Sequence, residues 1–272
     1  MRMQNNSLDV IILGSRGSIP VSGTQFSHFG GATCCVLVRT QSAAVILDAG
    51  TGLLQLTPYL RHERCLPIFL SHCHADHILG LPLCPQVLSP DYQFPIYGAT
   101  SDGNDIRSQV CAFLSPPLWP VGPEQLPAEL TFHNAEPRME WNGILVESAP
   151  GCHPGGVTIY RITASGKKIV YMTDCTITEE NRPFLLDFCR DCDLLLCDGQ
   201  YSEEQWPSKA NFGHNCWTYA AQFGKDCGAR SMRLIHHDNT HTDQTLHDAQ
   251  KQVQTINDTC TLAFEREEIV IL

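Results

Sequence analysis

The sequence predicts an α/β sandwich, two β-sheets packed face to face with helices on their outer sides. Three observations predict it. Short apolar runs alternate with stretches of helical spacing along the chain. Several of those runs end in Asp or His, as the strands of a sheet do when one edge converges on one site. No internal repeat or long linker interrupts the 272 residues, so residues 1–272 are read as a single domain, and 43% hydrophobic composition is enough for a sizeable core.

Residues 8–13 form an apolar run ending in Gly14-Ser15-Arg16-Gly17-Ser18, a strand followed by a glycine turn. Arg16 in that turn either meets an anionic group or is a solvated loop residue. Residues 34–38 and 43–47 read as strands joined by a turn at Gln41-Ser42. Asp48-Ala49-Gly50 closes the second of them, and Leu53, Leu54, Leu56 and Leu60 predict a helix running to about His62. Asp48 either caps that helix or braces a ligand histidine. Residues 66–70 predict a short buried strand. In the proline-rich stretch 82–127, residues 96–98 read as a strand and 105–114 as a helix. The rest, including Ser115-Pro116-Pro117-Leu118-Trp119-Pro120, is expected to lie over the site as a lid or substrate wall. Residues 130–132, 144–147 and 157–162 alternate like antiparallel strands. Residues 168–172 and 194–197 and the run through Ile235 are buried strands, leading to Asp174, Asp198 and His236-His237. Residues 216–223 with the stop at Gly228, and residues 245–256, read as helices, and 268–272 as a last strand.

The stretch Ser71-His72-Cys73-His74-Ala75-Asp76-His77 carries the chemistry. In an extended strand end, His72 and His74 point to the same side and share one ion. A helical turn at Asp76 then swings Asp76 and His77 towards a second point nearby. Imidazole and carboxylate together suit zinc, and also manganese or iron. Cys73 is expected to point away into the fold.

Composition narrows the partners. The net charge is -11 and no basic run occurs, which argues against a long nucleic acid and leaves a small anionic substrate held by metal ions. No apolar run is long enough for a membrane span, and residues 1–9 lack the apolar core of a signal peptide, so a cytoplasmic location is expected. The 14 cysteines sit mostly in apolar segments, as buried thiols of a reducing compartment do; Cys189-x-x-Cys192 has no second pair at zinc-ribbon spacing. The oligomeric state, a homo-oligomer included, is left open.

Taken together, Asp48-Ala49-Gly50 after a strand, the His72 to His77 cluster, His153 in a glycine-flanked loop, Asp174 and His236 resemble the metallo-β-lactamase superfamily in order and spacing. The resemblance covers nearly the whole chain and implies an αββα sandwich of two mixed sheets. It implies that His72, His74 and His153 hold a first metal, that Asp76, His77 and His236 hold a second, and that Asp174 bridges both. His237 would then point away or towards substrate. Asp at position 174 and the ligand His77 set the chain apart from true β-lactamases and make it more similar to the phosphodiesterase branch, ribonuclease Z included. In that branch Asn211-Phe212-Gly213-His214-Asn215 resembles a segment with a catalytic histidine, and Asp198 stands where an acid orients it, so Asp76, His214 and Asp198 are the catalytic candidates. The short interval between His153 and Asp174 leaves no room for the tRNA-binding arm common in ribonuclease Z. The resemblance therefore implies a phosphodiesterase with two divalent ions, zinc first, that share a nucleophilic hydroxide and act on a small nucleotide-like or cyclic phosphodiester. A lactone or thioester hydrolase and a non-catalytic metal-binding module are the alternatives.

Overall fold

A computed structural model describes residues 7–272. Most of the polar N-terminal segment considered for targeting, residues 1–6, lies outside the described residues. The strands are β1 (Leu8–Gly14), β2 (Cys35–Arg39), β3 (Ala44–Leu47), β4 (Ile68–Phe69), β5 (Gln93–Gly98), β6 (Glu129–Asn134) and β7 (Arg138–Trp141). There follow β8 (Ile144–Gly151), β9 (Val157–Ala164), β10 (Lys167–Met172), β11 (Leu194–Asp198), β12 (Met232–Ile235), β13 (Cys260–Leu262) and β14 (Glu267–Ile271). The helices are α1 (Ala75–Ile78), α2 (Ile106–Phe113), α3 (Arg182–Cys189), α4 (Trp206–Lys209), α5 (Trp217–Asp226) and α6 (Asp243–Ile256).

Two seven-stranded sheets result, in the orders β14-β1-β2-β3-β4-β5-β6 and β13-β12-β11-β10-β9-β8-β7. Each is mixed, with antiparallel pairs from β14 to β3 and from β7 to β10, and parallel pairs from β3 to β6 and from β10 to β13. The two-residue period of a strand explains the layering. Leu8, Val10 and Ile12 of β1 meet Ile169 and Tyr171 of β10 and Leu194 and Leu196 of β11 between the sheets. The alternate residues face outward, Ile11 and Leu13 beneath Ile78 and Ile106, and Val170, Met172 and Leu195 beneath Leu185, Phe223 and Leu246. The αββα architecture is as expected. No described helix is long and apolar enough to cross a membrane.

Three of the sequence readings do not hold. The helix expected to reach His62 is instead a pair of 3₁₀ turns, Thr51–Gln55 and Thr57–Tyr59, with Pro58 at the start of the second. The Ser115 to Pro120 segment does not cover the site; Trp119 stacks on Phe113 and packs against the outer core of the first sheet. Arg16 is not solvated. It is fully buried, donating to the carbonyls of Gly30, Asp238 and His241, and ties the β1–β2 loop to the segment after β12.

Candidate metal centre

The site lies at the carboxyl ends of β3, β4, β10, β11 and β12, where the sheets meet. After β4 the chain bends at Ser71, passes His72 and reaches an extended His74, then makes the single turn of α1 that carries Asp76 and His77. That turn is pinned to the loop after β3, because Ala49 N–H donates to His77 O at 2.8 Å and Gly80 N–H to Ala49 O at 2.9 Å. Asp174 follows β10 by two residues, Asp198 ends β11, His236 follows β12, His153 sits between β8 and β9, and His214 precedes α5.

Two groups of nitrogen and oxygen atoms form. In the first, His74 Nδ1 is 2.8 Å from His72 Nε2 and 3.3 Å from His153 Nε2. In the second, His236 Nε2 is 3.1 Å from Asp76 Oδ2, and His77 Nε2 is 3.4 Å from the same oxygen. Asp174 stands between them: Oδ2 is 3.2 Å from His77 Nε2, while Oδ1 is 3.3 Å from His236 Nε2 and 3.9 Å from His153 Nε2. All seven residues assigned to metals are thus brought together. A tetrahedral ion with ligands at ~2.0–2.1 Å spaces them ~3.3 Å apart, close to most of these separations.

The surroundings hold the rings in place. His77 Nδ1 is 2.7 Å from Asp48 Oδ2, a carboxylate that also accepts from Ser71 N, Ser71 Oγ and Tyr171 Oη. Asp48 is therefore a brace and not a helix cap, and His77 Nε2 is left buried without a hydrogen-bond partner, facing the cluster. Such an orphaned lone pair, oriented from behind by a carboxylate, is what a metal ligand presents. Ser71 Oγ lies 3.1 Å from His72 Nδ1 and Gly213 O 3.1 Å from His153 Nδ1. Burial pulls the His72, His74 and His153 pKa values below the ordinary range, keeping these rings neutral. Burial acts the same way on His236, but Asp174, Asp76 and Asp198 outweigh it and push that ring up to about 9. The second group is thus a buried pocket of carboxylates that calls for positive charge, which a cation supplies. The residues present fit divalent ions.

Two further candidates sit beside this cluster. His214 Nδ1 is 2.7 Å from Asp198 Oδ2 and 3.7 Å from Asp174 Oδ1, with its ring stacked 4.8 Å from that of His236. His237 points away: Nε2 donates to Ala263 O at 2.8 Å, and burial together with Arg16 pushes its pKa down to about 3. Cys73 packs on the outer core of the first sheet, its thiol pushed up to about 12 by burial. Ser18 and Gln200 escaped the sequence reading. Ser18 N–H donates to Asp76 Oδ2 at 2.7 Å and Gln200 Nε2 to Ser18 Oγ at 3.1 Å, and only the glycine turn around Ser18 hinted at a role.

The sequence matches the family described as "Beta-lactamase superfamily domain" over residues 44–237. Ribonuclease Z of Treponema pallidum (strain Nichols) is 24% identical, the alignment covering 92% of this chain and 93% of that protein. The probable metallo-hydrolase YhfI of Bacillus subtilis is 24% identical over 85% of this chain and 90% of its own length. The crystal structure of YhfI matches with a TM-score of 0.75 at 20% identity, covering 98% of this chain and all of that one. A diphosphatase of the PhnP family matches with a TM-score of 0.73 at 18% identity over 96% of this chain and 97% of the other. By its fold, its ligand cluster and this match, the chain belongs to the beta-lactamase superfamily, as one of its metallo-hydrolases.

Proposed function

We propose that the chain, as one catalytic unit, is a dinuclear metal-dependent phosphodiesterase acting on a small nucleotide-like or cyclic phosphodiester. His72, His74 and His153 would hold one ion, Asp76, His77 and His236 the other, and Asp174 would join them; the mixed nitrogen and oxygen donors favour zinc. When bound, the ions polarise phosphoryl oxygens and make water a better nucleophile.

The observation that carries the reading is the His214–Asp198 pair at 2.7 Å, outside the seven-residue set and against Asp174. Asp198 fixes the Nδ1–H tautomer and the ring orientation, so Nε2 is the nitrogen placed to pass a proton to the departing ester oxygen as the P–O bond breaks. Several relatives bear the name ribonuclease Z, which favours an RNA substrate. Against RNA stand the charge of -11 and the connection from β9 to β10, where Ser165 and Gly166, both at positive φ, close a two-residue hairpin in the interval of the tRNA-binding arm.

His214→Ala should keep both metals while losing ~10²–10⁴-fold in rate on an alkyl or ribose phosphodiester. It should lose far less on a p-nitrophenyl ester, whose leaving oxygen departs unprotonated. Metal analysis beside steady-state kinetics on both ester types checks this; equal losses would remove the acid role, and loss of metal would make His214 a ligand. Parallel assays on lactones and S-lactoylglutathione separate the carboxylic-ester alternative, and bound metal with no turnover of any substrate would favour a binding module.

A further inference from the structure

Beside His72 a cavity of about 320 Å³ opens between the β5–α2 connection and the β8–β9 hairpin. Ser71 and His72 line it, so whatever occupies it lies against the first histidine group. Among the described residues lining it, none is Lys, Arg, Asp or Glu.

Four of its polar side chains have their hydrogens committed elsewhere. Ser71 Oγ donates to Asp48 Oδ2 at 2.8 Å, Ser101 Oγ to Gly155 O at 2.5 Å, and Ser148 Oγ to Glu136 O at 2.8 Å. The Gln109 amide nitrogen donates to Ala99 O at 2.8 Å and Asn104 O at 3.0 Å, which takes both of its hydrogens. Hydroxyl and amide groups in this state still offer lone pairs, so they act towards the cavity as acceptors. These four acceptors, beside the Thr100 and Thr158 hydroxyls that can turn either way, favour a group that donates. An anion placed against them loses water without gaining a cation in return. Ala99, Ala135 and Ala149 add small apolar surface that suits a flat ring.

We propose that this cavity is the specificity pocket for an uncharged, hydrogen-bond-donating group of nucleoside size esterified to the scissile phosphate, and that it rejects an arm carrying a further phosphate. The proposal rests on the phosphodiesterase reading above and narrows its substrate class.

Three esters with one leaving group test it: methyl p-nitrophenyl phosphate, thymidine 5′-(p-nitrophenyl phosphate), and the latter phosphorylated at its 3′-oxygen. Two or three new hydrogen bonds should raise kcat/KM of the nucleoside ester at least about tenfold over the methyl ester. The 3′-phosphate should cancel that gain. Gln109→Lys, in which a cationic donor replaces an acceptor, should narrow the gap between the nucleoside ester and its 3′-phosphate by a similar factor, with metal content confirming an intact site. Equal kcat/KM on all three esters, or a preference for the 3′-phosphate, would overturn the pocket and leave the phosphodiesterase reading standing. If no phosphodiester is turned over, saturation-transfer NMR with thymidine decides separately. Transfer that Gln109→Lys abolishes supports the pocket while the phosphodiesterase reading fails; no transfer overturns the pocket as well.

Discussion

Asp48, Asp174 and His236 share an uncommon backbone state, with φ of 58°, 50° and 62° at the ends of β3, β10 and β12. A side chain in the left-handed region costs on the order of 1–2 kcal/mol, and such residues gather where the fold sacrifices stability for geometry. Here the turn swings each side chain off its strand and onto the cluster. Asp48 shows what is gained, since one buried carboxylate receives His77, Ser71 and Tyr171 together. Asp48→Asn keeps the shape and tolerates the backbone, but its amide has one acceptor where the carboxylate has two. Metal affinity should fall by about 10–100-fold, the loss falling on the ion held by His77. Competitive titration with a chromophoric chelator reads this directly; unchanged affinity for both ions would show that His77 needs no brace.

At the scale of elements, the β1–β2 loop acts as a backstop. Gly17 lies so close to the His236 ring that an added Cβ would stand 2.3 Å from its Nδ1. Gly17→Ala must displace the ring, because the rest of the loop is held by Arg16. On the proposed ligand set, one ion per chain should remain, held by His72, His74 and His153, in place of two. Retention of two ions after elemental analysis would mean that the loop moves instead of the ring. The strands that end in acids were legible in the sequence because burial on both faces makes each a continuous apolar run. The cluster from His72 to His77 was legible because strand and helix periodicities fix where its side chains go. β7, α3 and β13 were not. β7 is a half-exposed edge strand whose Arg and Glu blur the alternation, α3 is short and opens with Arg182-Pro183, and β13 has only three residues. Nor could spacing separate the 3₁₀ turns after Gly50 from a helix, since leucines at similar intervals face the core in either form. Ser18 and Gln200 act through contacts between distant segments, and one sequence carries no sign of those.

At the scale of the molecule, the site joins the two sheets. His72, His74, Asp76 and His77 come from the first, and His153, Asp174 and His236 from the second. Ions bound there as proposed would stabilise the folded chain, by ~2.7–4.1 kcal/mol at free metal 100–1,000 times the dissociation constant. Exhaustive chelation should lower the melting temperature by several degrees, and stoichiometric zinc should restore it; calorimetry with and without chelator checks this. An unchanged transition would mean that no ion binds the folded chain in preference to the unfolded one.

The same division has a consequence for how the chain is made. β1 to β6 emerge first with four of the seven proposed ligand residues, but His236 follows β12. A nascent chain therefore carries an incomplete set until synthesis has passed β12, and the second histidine group closes only on a scaffold whose two sheets have already met.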